Sequence, residues 1–143
     1  MSGDYVNLLK KRSLNALKWA ERACLEGDYD TAAREAEYAA QLYAKALIYR
    51  VLGEERRGHD IRGLLGILAT ALMEGGAREE AEVLLEFLRS KRRALAELAD
   101  AHVRATYGVF EYGRREAELL IKITKEVINI LKEIEGRIFE GKN

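Results

Sequence analysis

No proline occurs anywhere in the 143 residues, and this omission narrows the fold more than any motif does. Inside a helix proline costs about 3 kcal/mol, because it lacks an N–H and collides with the preceding turn. A chain without it can run in long uninterrupted helices, and apolar residues here recur at helical spacing. Residues 4–26 read as a first helix. Tyr5, Leu9, Ala16, Ala20 and Ala23 share a face, and Leu17, Trp19 and Cys24 widen it. Gly27-Asp28-Tyr29-Asp30 is a turn, with Asp30 the expected N-cap. A second helix over 31–52 carries Ala32, Ala36, Ala39, Ala40, Tyr43, Leu47 and Val51. Its small side chains let another helix approach closely, most simply the first, in an antiparallel hairpin.

Ile61, Leu64, Leu65, Leu68 and Leu72 mark a shorter third helix that ends at Gly75-Gly76. A fourth places Ala81, Leu84, Leu85, Leu88, Leu95, Leu98, Ala99 and His102 on or near one face. Between Tyr107 and Gly113 an aromatic-rich loop interrupts the pattern, and Tyr107, Phe110 and Tyr112 are expected to plug the end of the bundle. The last helix, 114–137, is apolar over more than one stripe. Ala117, Leu120, Ile121, Ile128 and Leu131 are joined by Leu119, Ile123, Val127, Ile130 and Ile134. Burying a Leu or Ile is worth about 1.5–3 kcal/mol, so this surplus needs cover, from a homodimer or from a central place in the bundle. The expectation is an all-α, antiparallel up-and-down helical bundle of about five helices, forming one domain over 1–143. No run of alternating residues bounded by turns supports a strand.

Lys+Arg and Asp+Glu both number 24, so overall charge gives no case for a general nucleic-acid binder. Cys24 alone forms neither an internal disulfide nor a zinc site. No apolar run approaches the roughly 20 residues that span a bilayer. Lys10, Lys11 and Arg12 lead into a helix and not into a secretory pattern, so the expected location is cytoplasmic. Heavy charge with few Asn and Gln gives a thermophile-like composition.

Polar chemistry is densest at Gly53-Glu54-Glu55-Arg56-Arg57-Gly58-His59-Asp60-Ile61-Arg62-Gly63-Leu64-Leu65. Gly53 reads as a left-handed helix cap. Asp60 lies where free N–H groups and the dipole of the next helix favour a carboxylate. His59 and Asp60 suit a base, a phosphate or acid–base chemistry, or simply cap the third helix. Lys45 can meet a phosphate as a point charge or snorkel to the surface. The candidate nucleotide-binding set is Lys45, Arg57, His59, Asp60 and Arg62, and the candidate catalytic residues are His59 and His102. His102 reads more simply as a core histidine. Arg56, Arg57 and Arg62, with Arg89, Lys91, Arg92 and Arg93, form two basic groups that would suit phosphate if brought together, although Glu54, Glu55 and Glu86 lie close in sequence. Asp28 and Asp30 lack the spacing of a calcium loop. No phosphate loop, zinc pattern or catalytic triad is visible, so neither metal nor cofactor is expected.

The run Gly27-Asp28-Tyr29-Asp30-Thr31-Ala32-Ala33, continued by Ala39-Ala40-Gln41-Leu42-Tyr43-Ala44-Lys45-Ala46-Leu47, Gly53, Gly58-His59-Asp60-Ile61 and Leu64-Leu65, resembles the HEPN family. Trp19, Ala20 and Ala23, and the segment Ala101-His102-Val103-Arg104-Ala105-Thr106-Tyr107, extend the likeness. The resemblance implies a five-helix bundle, often dimeric, that binds a nucleotide beside a small, separately encoded nucleotidyltransferase. Other members are metal-independent endoribonucleases, including toxins of toxin–antitoxin pairs. Those ribonucleases carry an arginine followed, after four to six residues, by histidine. Here the corresponding positions are Leu52, Gly53 and Glu54 before His59, and Leu95, Ala96 and Glu97 before His102. Thr106 also precedes Tyr107 where the family often has arginine. The sequence therefore favours a non-catalytic binding protein over an atypical ribonuclease or a homodimeric interaction scaffold.

Overall fold

The computed structural model describes residues 2–109 and 111–140, and among them every regular element is helical. Six α-helices follow in order: α1 (Ser2–Leu25), α2 (Tyr29–Leu52), α3 (Ile61–Glu74), α4 (Arg78–Ser90), α5 (Arg92–Tyr107) and α6 (Arg114–Glu135). A π-helical turn, Gly136–Glu140, ends the described chain. The expected helical bundle is present, with one helix more than the sequence pattern suggested.

The alanine-rich α2 is its axis. It packs against α1, α3, α5 and α6, and Ala32, Ala33, Ala36, Ala39, Ala40, Ala44 and Ala46 are all fully buried. Side chains of one carbon let several helices approach the same backbone, so the alanines serve more neighbours than the hairpin partner alone. Two hydroxyls exploit that approach. Ser13 of α1 donates to the Ala39 carbonyl at 2.6 Å, and Thr124 of α6 donates to the Ala36 carbonyl at 3.0 Å. Each satisfies a buried polar atom that would otherwise cost about 1–3 kcal/mol.

The extra helix arises because the expected fourth helix breaks at Lys91. A straight helix over 78–107 would be about 45 Å long at 1.5 Å per residue, longer than the 24-residue α2. Residues 91 and 92 occupy the turn where the apolar stripe from Leu84 and Leu88 to Leu95 needs a buried side chain, and they are Lys and Arg. Lys91 takes φ −108° and ψ 20° there, serving as C-cap of α4 and N-cap of α5. Its ammonium pairs with Glu126 of α6 at 3.3 Å.

The surplus apolar surface of α6 is mostly consumed inside the bundle: Ile121, Ile123, Val127, Ile128, Leu131 and Ile134 are buried, whereas Leu119 remains 54% exposed. Three local expectations are corrected. Trp19 does not widen the buried face of α1 but stands 54% exposed, its ring facing the Lys18 ammonium. Asp28, not Asp30, caps α2 by accepting from the Thr31 N–H. Asp30 instead accepts from the Tyr112 N–H at 2.9 Å, tying the α5–α6 connection to the start of α2. Of the three aromatics, Tyr112 is buried and Tyr107 is exposed, while Phe110 lies outside the described residues. Cys24 is partly buried against the core, and burial pushes its thiol up.

Candidate ligand site at the junction of α2, α3 and α5

Gly53 closes α2 in the left-handed conformation, φ 75°, with its N–H on the Tyr49 carbonyl. Gly58 repeats that backbone sign at φ 78°. Both positions strain any residue with a Cβ. The connection then turns back along α2. Asp60 comes within electrostatic reach of Glu37, four turns before the end of α2, while Leu52 shares a surface depression with Ile67, Thr70 and Glu74 of α3.

Asp60 caps α3 as expected, accepting from the Gly63 N–H at 3.1 Å. It also accepts from the Arg62 guanidinium at 2.9 Å. Burial acts to raise the Asp60 carboxyl, but the Arg62 and Gly63 hydrogen bonds outweigh it and hold the group below the usual carboxylate range. The His59 imidazole packs over Gly63, its Nδ1 3.2 Å from where a Cβ on that residue would stand. Glycine at 63 is what lets the ring lie against the first turn of α3.

The arginines of the loop are not free to converge on one ligand. Arg56 bonds Glu54, Arg62 bonds Asp60, and Arg57 lies 3.9 Å from Glu55 with its side chain 90% exposed. In the second basic group, Arg89 pairs with Glu86 and Lys91 with Glu126. The basic groups read from sequence are therefore largely compensated by neighbouring acids.

What gathers instead is a set from three elements around Glu37. This α2 glutamate is 3% exposed and accepts a hydrogen bond from Gln41, one turn on. Burial pushes its carboxyl above the ordinary range, against the lowering effects of Gln41, His102 and Lys45; Asp60 pushes it further up. So Lys45 of α2, Asp60 of the α2–α3 connection and His102 of α5 all act electrostatically on one buried carboxyl. Lys45 is half-buried. Asp100 of α5 acts in turn on Arg62. The expectation of a core histidine at 102 is overturned: Leu95 and Leu98 are buried as expected, but Ala101 and not its neighbour His102 continues their face, and His102 is exposed.

Glu37 and Gln41 were not singled out by the sequence reading. A signal was there, since Glu37 interrupts the buried run from Ala33 and Ala36 to Ala40 and Ala44, where a carboxylate is out of place. Among the described residues no group of three or more His, Cys, Asp or Glu is placed to hold a metal ion.

Residues 6–134 match the family model of the HEPN domain. The chain belongs to the HEPN family. No curated protein and no solved structure gives a significant match. Among the described residues no helix is long and apolar enough to cross a membrane.

Proposed function

We propose that this HEPN protein is a non-catalytic binding protein that takes a nucleotide phosphate at the α2–α3–α5 junction. It works beside a separate small nucleotidyltransferase, in a toxin–antitoxin-like pair. One observation carries the ligand reading. Lys45 and His102 both act electrostatically on buried Glu37, and among the described residues neither is held in an ion pair, whereas Arg56 and Arg62 are each bonded to a carboxylate. An ammonium and an imidazole beside an N-capped helix start offer charge and donors to phosphate oxygens. Asp60, which also acts on Glu37, brings His59 and Arg62 with it, and Arg57 belongs to the same loop. The nucleotidyltransferase partner rests on family membership.

Isothermal titration with ATP tests the reading. Lys45→Met should weaken binding by about tenfold, the order of one charge-assisted contact, while Lys132→Ala on the exposed face of α6 leaves it unchanged. Equal affinity in wild type and Lys45→Met would reject this position. A nucleotidyltransferase encoded beside this chain should co-purify with it.

A metal-independent endoribonuclease is the second reading, favoured by His102 and Asp60 both acting electrostatically on one buried carboxyl, with His59 next to Asp60 in the chain. RNA cleavage that disappears in His102→Ala or His59→Ala would replace the non-catalytic assignment. A homodimer, with Leu119 among its contacts, is compatible with either reading and is checked by sedimentation.

A further inference from the structure

We propose that the groove between α5 and α6 docks an amphipathic helix of a partner protein, one whose aliphatic stripe is flanked on both sides by carboxylates. This surface is separate from the nucleotide position and does not depend on it. The groove has a volume of about 430 Å³. Its walls are helical faces, Ala94 and Glu97 of α5 and Leu119, Ile123 and Glu126 of α6, spaced by three or four residues. From 119 to 126 it runs for about two turns, or about 10 Å. Leu120 and Ile123 form an almost sealed floor, at 4% and 3% exposure, whereas Leu119 stands 54% exposed at the lip. An apolar trough with a wet aliphatic lip is the surface that an incoming helical stripe covers.

Charge decides which helix fits. Both acids of the groove are already matched, Glu126 by Lys91 at 3.3 Å and Glu97 by Arg104 at 3.4 Å. Two cations are not. Arg93 on the α5 wall and Lys122 on the α6 wall are exposed, and among the described residues neither has an ion-pair partner. Each wall thus carries one uncompensated positive charge beside an apolar floor, the complement of an aliphatic stripe with Asp or Glu along both flanks. A second copy of the chain matches less well. A two-fold contact through this groove would set Arg93 and Lys122 of one copy against the same cations of the other. Nor does the groove suit a small apolar acid. Ligand pockets bury about 70–90% of what they hold, and here Arg93, Glu97, Leu119 and Lys122 all stand in solvent.

Fluorescence anisotropy tests this with two labelled peptides of about 15 residues. One has leucines at i, i+3, i+4 and i+7 with glutamates on both flanks, and the other replaces every glutamate by lysine. Wild type should bind the glutamate peptide at least about tenfold more tightly than the lysine peptide. The double variant Arg93→Glu, Lys122→Glu should reverse that preference, and its gain of binding to the lysine peptide also shows that it is folded. Leu119→Ser should weaken the glutamate peptide by about tenfold while leaving the preference in place. Equal affinity for the two peptides, or binding of neither, overturns the proposal. A preference that survives the charge reversal places the peptide elsewhere and overturns it too. So does an affinity that Leu119→Ser leaves unchanged, because the contact is then one of charge alone. A sedimenting dimer that Leu119→Ser converts to monomer assigns the groove to a second copy and likewise overturns it.

Discussion

Glu135 of α6 and Glu37 of α2 are nearly equally withdrawn from water, at 4% and 3% exposure, yet their surroundings differ completely. Glu135 lies against the Lys10 ammonium at 2.6 Å and against the Arg50 guanidinium, which also stacks 4.0 Å from the Phe139 ring centroid. Those contacts pin α1, α2 and the end of α6 to one another. Glu37 has an amide neighbour, Gln41, and cations that act on it without touching it. Burying a carboxylate is costly unless charge and hydrogen bonds offset the lost water. The fold completes that compensation at one end of the bundle and leaves it incomplete at the α2–α3–α5 junction. Burial alone therefore does not distinguish the two carboxyls; contact with an opposite charge does.

The largest effect should come from breaking the completed site. Glu135→Gln leaves Lys10 and Arg50 without a counter-charge, and urea denaturation should show a loss of about 2–3 kcal/mol, reduced from the fully buried case because both cations are partly exposed. A loss below about 0.5 kcal/mol would erase the contrast between the two glutamates.

Asp60 stands between the extremes, since a helix N-terminus and Arg62 compensate it. Asp60→Ala should cost about 1 kcal/mol through the lost cap. It should also flatten the acid limb of the stability curve. Because the folded pKa of Asp60 is depressed, its contribution is present above the unfolded carboxylate pKa and is lost as pH falls through the folded value. Thermal melts across the acid range check both parts.

Glu37→Gln should have the smallest effect and the opposite sign at neutral to alkaline pH. The folded pKa of Glu37 is raised, so wild-type stability declines as pH rises from the unfolded value through the folded one. The isosteric amide avoids that decline and still accepts from Gln41. A gain on the order of 1 kcal/mol or less is expected above that window and none at acid pH, where both side chains are neutral. Destabilisation by Glu37→Gln at alkaline pH would mean that the carboxylate is compensated after all.

The bundle was largely legible in the sequence because helical periodicity is a local signal. The stripes in α2, α3 and α6 and the caps at Gly53 and Asp60 need only neighbouring residues to be read. The break at Lys91 was legible too, as charge in an apolar slot, but a count of apolar positions passes over it. His102 was misplaced for another reason: positions 101 and 102 both border the stripe of Leu95 and Leu98, and the structure buries Ala101. The junction was found through His59 and Asp60, whereas Glu37 lies more than twenty residues earlier and joins them only when the connection doubles back along α2. Which arginines are spent on neighbouring acids is likewise a matter of side-chain geometry, not of composition.

The most direct measurement is a carboxyl-carbon NMR titration of Glu37 in the wild-type protein. The account predicts that Glu37 keeps its proton above the ordinary glutamate range. A midpoint within the ordinary range would show Glu37 to be a compensated structural carboxylate and would contradict the account.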